Sequence, residues 1–116
     1  METCVEEKVP IIITSLRPPQ EIVDAAHSYG GLVYHDVINM RHARKAAEEG
    51  VDGLILVAAG AGGHAGTLSP FAIVREVKKW FDGTILLSGA IGDGFCVASA
   101  LAMGADLAYI LSIIHI

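Results

Sequence analysis

The sequence predicts an α/β fold of parallel strand–helix repeats, a partial TIM (β/α)8 barrel of about five strands and four helices. Three observations carry this. Short continuous apolar runs, rich in β-branched residues, alternate with stretches of helical spacing. The runs start roughly every twenty residues, once after about thirty. A Gly-x-Asp motif occurs twice, at Gly50-Val51-Asp52 and Gly104-Ala105-Asp106, each time leading into an apolar run. Buried strands separated by helices require right-handed parallel crossovers. Spacing alone allows an open doubly wound sheet or a barrel. A complete barrel takes about 250 residues, so 116 residues hold only part of one.

The elements follow in order. Residues 1–8 form a polar, acidic N-terminal segment, 9–110 the partial barrel domain, and 111–116 a divergent apolar tail. Val9 to Thr14 reads as the first strand. Pro18-Pro19 opens a helix whose face is Ile22, Ala26 and Tyr29, and Gly30 ends it. Leu32 to Val37 is the second strand. Asn39 caps the next helix, which buries Ala43, Ala46 and Ala47 and stops at Gly50. Leu54 to Val57 is the third strand, followed by a glycine-rich loop from Gly60 to Gly66. Ser69-Pro70 joins a capping hydroxyl to a proline at the first helical position. Ile73, Val74, Val77, Trp80 and Phe81 give that helix its buried face. Ile85 to Leu87 is the fourth strand, Asp93 caps a helix from about Gly94 to Met103, and Leu107 to Ile110 is the fifth strand.

Composition narrows the function. Apolar residues make up 53% of the chain and charged residues 18%, the balance of a globular protein. The formal net charge is -5, with no Lys/Arg cluster, which argues against nucleic acid and against an anionic membrane surface. An anionic ligand would have to be held by backbone amides. Cys4 and Cys96 show no metal-type spacing and read as two free thiols in a reducing compartment. The N-terminus is not a signal peptide, and no run reaches the roughly 18 apolar residues of a membrane span. The expectation is a soluble, cytoplasmic protein.

In either architecture chemistry belongs at the C-terminal ends of the strands. Two loops there are unusual. Gly60-Ala61-Gly62-Gly63-His64-Ala65-Gly66 exposes bare amides and presents a histidine, the side chain suited to proton transfer near neutral pH. The same pattern also fits a long turn with a solvated histidine. Ser88-Gly89-Ala90-Ile91-Gly92-Asp93-Gly94 runs from strand to helix and fits either a phosphate cradle or an ordinary tight turn. His35 and Asp36 end the second strand, and alternation allows one of them to face a pocket. His27 and His42 read as surface residues.

These segments resemble a known family. Gly53 to Gly66, with its Ala61-Gly62-Gly63-His64, is similar to the strand and loop of nitronate monooxygenases, the former 2-nitropropane dioxygenases. Ile85 to Gly94 resembles their following strand and Gly-Gly-Ile-x-Asp-Gly loop, and Ala98 to Asp106 the helix after it. The resemblance covers about residues 9 to 110 and implies a barrel that binds FMN non-covalently and oxidises alkyl nitronates or nitroalkanes with molecular oxygen. It implies that the chain is a fragment from the C-terminal half of that barrel. On this match His64 is the catalytic base. Gly62 and Gly63 line the flavin, and Ser88, Gly89, Ala90 and Ser112 lie at its phosphate. Three departures stand out. Ala90 replaces a glycine, acceptable if its φ stays negative. Leu111-Ser112 replaces Gly-Thr, weakening the phosphate grip. The early strands are absent, and the tail is expected from a truncated or frame-shifted reading frame. An FMN-dependent enoyl reductase carries a similar loop, and an inactive barrel fragment with weak or no flavin binding is the third alternative. Open sheet edges make a homo-oligomer an expected partner arrangement.

Overall fold

Five parallel strands lie side by side in chain order, each connected to the next through a helix. A computed structural model describes residues 1–111. The strands are β1 (Ile11–Thr14), β2 (Leu32–Val37), β3 (Gly53–Val57), β4 (Thr84–Ser88) and β5 (Leu107–Ala108), in the sheet order β1-β2-β3-β4-β5. Sequential order with every pair parallel is the arrangement of consecutive barrel units, and it differs from a doubly wound sheet, whose order reverses at a switch point. The helices are α1 (Glu2–Glu6), α2 (Gln20–His27), α3 (Met40–Glu48), α4 (Pro70–Val77) and α5 (Gly94–Met103).

One helix is therefore added to the four predicted. α1 has five residues and buries none of them, so it carries no apolar periodicity by which to find it. Two strands are shorter than predicted, beginning at Ile11 instead of Val9 and ending at Ala108 instead of Ile110. The caps divide. Asn39 Oδ1 accepts from His42 N at 2.9 Å and Asp93 Oδ1 from Cys96 N at 2.8 Å, as the sequence predicts. Each such cap is worth about 1 kcal/mol. Ser69 occupies the N-cap of α4 but its hydroxyl makes no capping bond, so Pro70 alone sets that helix start.

Alternation sends the strand residues to two faces. Val33, Val37, Leu54, Leu56, Ile85 and Leu87 pack against the helices in the main core. Tyr34, Ile55, Val57 and Leu86 form a smaller cluster on the opposite, inner face. β3 is buried along its whole length because it is central and covered on both sides. Toward the edges the inner face opens, leaving Ile11, Ile13 and Leu107 close to half exposed.

The repeated Gly-x-Asp motif has a defined role. Gly50 and Gly104 have positive φ after their helices. Asp52 Oδ2 then accepts from Val33 N at 2.8 Å while Asp52 N donates to Val33 O. Asp106 Oδ2 accepts from Ile85 N at 2.8 Å while Asp106 N donates to Ile85 O. In both places the aspartate stitches the start of its own strand to the start of the strand before it. No helix among the described residues is long and apolar enough to cross a membrane.

Candidate active site

The C-terminal ends of the strands carry two adjoining clefts of about 510 Å3 each. Backbone bonds build the wall between them. Ala59 N donates to Leu68 O at 2.8 Å, closing the Gly60–Gly66 loop onto its own base. Ala90 N donates to Gly60 O at 2.9 Å, tying that loop to the one after β4. Gly66 sits deep in the first loop, and a Cβ there would run into Val57 O. The loop closes this tightly only around a glycine.

The first cleft is bordered by Gly62, Gly63 and His64, by Ser88 at the end of β4, and by His35 and Asp36 of β2. His64 stands exposed on the turn made by Gly63, whose φ is +75°. The solvated position does not bury its imidazole, and the ring borders the cleft. Ser88 is buried, 4% exposed. The second cleft lies between the two glycine loops, along Gly60, Gly62, Ser88 and the residues from Gly89 to Asp93. The two clefts share Gly62, Ser88, Tyr109 and Leu111, so they are continuous.

The second cleft suits an anion by its amides. No lysine or arginine among the described residues lines it. The amides of Ile91, Gly92 and Gly94 have no partner among the described residues, and they lie where α5 begins. A helix start with free amides favours negative charge. A side chain at Gly89 would approach Ala59 O to 2.9 Å, so the loop after β4 packs this closely on the end of β3 only without a Cβ. Two amides are already spent, Ala90 N on Gly60 O and Cys96 N on Asp93. Hydrogen bonds from the Cys96 amide first, then from the Cys96 thiol and the Phe95 amide, hold the Asp93 carboxyl below its usual range.

Several expectations change here. Ala90 has φ +53°, not a negative value, because its amide must reach Gly60 O across the loop. An alanine in that region stores about 1–2 kcal/mol of strain. His35 and Asp36 both border the first cleft, where one was expected. Asp36 pairs in register with Ile55 and points to the inner face with Tyr34. His35 pairs with Leu54 and points to the helix side, with its Nδ1 2.6 Å from Thr14 Oγ1. The cleft reaches both faces because it continues over the end of β2 into the groove beside α3, past His42, Lys45 and Glu49. Burial pushes the His35 imidazole down, against the pull of Asp36 and Glu49. Burial pushes the Asp36 carboxyl up, opposed by the Ser15 hydroxyl and by His35.

Leu111 lies over the glycine turn, such that a Cβ at Gly62 or Gly63 would come within 3.2 Å of Leu111 Cδ2. Ser112 and the rest of the tail lie outside the described residues. His27 and His42 are exposed, and His27 Nε2 pairs with Asp52 Oδ2 at 2.9 Å at the far end of the sheet. Cys4 and Cys96 are free thiols, and no metal-binding cluster occurs among the described residues. Tyr109 and Leu16 border the first cleft without having been singled out. Tyr109 is two residues past Leu107 on the same strand parity, a legible signal. Leu16 adopts φ +68°, which nothing in a leucine announces.

Known proteins resemble this chain in sequence and fold. The protein Rv1533 of Mycobacterium tuberculosis is 37% identical over 90 residues, which is 77% of this chain and 24% of that protein. A nitronate monooxygenase of Neurospora crassa is 31% identical over 96 residues, 75% of this chain and 25% of its own length. The chain thus spans about a quarter of these relatives. The structure of FabK from Thermotoga maritima superposes with a TM-score of 0.82 at 29% identity, covering 94% of this chain and 35% of that one. The profile of the nitronate monooxygenase family matches residues 1–113, and this chain belongs to that family.

Proposed function

We propose that this chain carries the phosphate-holding and base-bearing part of an FMN-dependent site that oxidises nitroalkanes and alkyl nitronates with molecular oxygen. One observation carries the reading. His64 borders a cleft that continues, past Gly62 and Ser88, into a second cleft walled by partnerless amides. A molecule with a phosphate at one end and a flat ring at the other could lie along both.

In this reading the amides of Gly92 and Gly94, at the start of α5, hold the phosphate. Gly62 and Gly63 let the ring approach the backbone, and Ser88 at the end of β4 contributes its hydroxyl. When bound, FMN supplies the redox chemistry that passes electrons from substrate to oxygen. His64 takes the α-proton of a neutral nitroalkane on a ring nitrogen. The C–H electron pair becomes the C=N bond of the nitronate, and the charge goes to the nitro oxygens. A histidine is suited to this because its ordinary range spans neutral pH. The free edges β1 and β5 belong to the same proposal: pairing between two copies would cover Ile11, Ile13 and Leu107.

The test is a sizing column run with excess FMN, followed by an assay on two substrates. Flavin absorbance should travel with a protein peak of dimer size. A flavin-carrying monomer would remove the edge pairing, and a folded peak without flavin would overturn the cofactor. His64→Asn should keep flavin and the oxidation of preformed nitronate, and lose neutral nitroalkane turnover by about 100-fold or more. Equal turnover of the neutral substrate by variant and parent would refute the base.

A further inference from the structure

Asp36 and Glu49 both border the first cleft with a buried side-chain oxygen that has no partner among the described residues, and of the two Asp36 stands on a strand at the mouth. It stands at the C-terminal end of β2, on the inner face beside Ile55, and borders the first cleft together with His64. Its Oδ1 is buried and has no hydrogen-bond partner among the described residues. The strand neighbours on that face are Tyr34, Ile55 and Val57, an apolar setting in which burial raises the carboxyl against the pull of the Ser15 hydroxyl and His35. Two other aspartates of this chain, Asp52 and Asp106 at strand starts, each have Oδ2 engaged by a neighbouring strand amide. A buried acceptor without a donor weakens the fold that contains it, and such groups persist where a ligand completes them.

We propose that Asp36 is a ligand-contact residue, its Oδ1 accepting a hydrogen bond from an N–H or O–H of the molecule seated in the first cleft. The assignment rests on the reading of that cleft as the flavin and substrate site. The donor has two possible sources, the imide N–H of the flavin ring or a hydroxyl on the substrate. The position agrees with either, because Asp36 at the end of β2 and His64 in the loop after β3 border the same cleft. The geometry speaks against a purely structural role, since the Ser15 hydroxyl beside the carboxyl leaves Oδ1 without a donor among the described residues.

Three measurements on Asp36→Leu test the assignment. The first needs no ligand. If the carboxylate serves a ligand, Asp36→Leu raises the thermal midpoint of the ligand-free chain, and a fall would mean that Asp36 serves the fold, overturning the proposal. The second compares FMN with its N3-methyl analogue by fluorescence titration. The parent should prefer FMN by about tenfold, the worth of one lost hydrogen bond to a charged group. Asp36→Leu should bring the ratio to about one if the flavin is the donor. The third compares KM for 2-nitroethanol and nitroethane. Loss of a hydroxyl preference in the variant, with the flavin ratio intact, identifies the substrate as the donor. Unchanged ratios in both comparisons refute the contact. Failure of the parent to bind FMN would overturn the preceding functional reading instead, and the ligand-free midpoint would then decide Asp36 alone.

Discussion

The two ends of this sheet obey different rules. At the N-terminal ends of the strands, Asp52 and Asp106 are each locked into reciprocal bonds with a neighbouring strand, and Asp52 Oδ2 also meets His27. At the C-terminal ends, Asp36 Oδ1 is buried and unpaired, and Ala90 and Leu16 sit at positive φ. The same residue type is satisfied at one end and left open at the other. The strain at Ala90 and Leu16 and the unmet Asp36 oxygen suit a binding mouth, and the Asp52 and Asp106 bonds at the other end tie neighbouring strands together.

The comparison can be broken most directly at the base. Asp52→Ala leaves Val33 N and His27 without their acceptor and should cost about 2 kcal/mol, the range for hydrogen bonds to a charged group. Asp106→Ala, at a more exposed position, should cost about 1 kcal/mol. Urea unfolding reads both as a lower midpoint at unchanged slope. A loss no greater than a few tenths of a kcal/mol would show that the stitches are ornamental.

The effect of pH comes next and sharpens the contrast at the mouth. The His35 imidazole is held below its ordinary 6.5. The unfolded chain therefore takes up a proton first as pH falls, and stability present above 6.5 is lost down to the folded value. Asp36 works the other way. Its carboxyl is raised above 3.8, so the folded state takes its proton first and gains stability as pH falls through that raised value. The urea midpoint of the parent should drop between pH 7.5 and 5.5, and the drop should be smaller in His35→Gln. Identical pH slopes would show that His35 is not the group responsible.

Ala90→Gly is the smallest change. Relief of about 1–2 kcal/mol of left-handed strain is offset by about 0.4–1 kcal/mol of added unfolded-chain entropy. A net gain of about 0.5 kcal/mol should raise the urea midpoint slightly. A loss would mean that the Ala90 methyl, near Gly60, contributes packing that outweighs its backbone.

Much of the scaffold was legible in the residues. Asn39 and Asp93 cap helices because a short acceptor before an apolar periodic run meets a free amide wherever such a run begins. The Gly-x-Asp repeat marks two equivalent strand starts. His64 and both glycine loops could be assigned to the mouth, because strand direction alone sends those loops to the same end. α1 left no trace because it buries nothing, and the Ser69 hydroxyl could not be known to stay free.

What the sequence determined by itself is thus local and periodic: the strand–helix alternation, the caps, the parallel sense of the sheet, and the end at which chemistry can occur. Each depends on neighbours within a few residues or on a repeating apolar face. Tertiary structure alone decided that Ala90 turns left-handed to reach Gly60, that Leu111 covers the Gly62–Gly63 turn, and that a single cleft touches His35 on one face and Asp36 on the other. Those outcomes depend on which loops meet across strands tens of residues apart, and no spacing within one segment encodes that meeting.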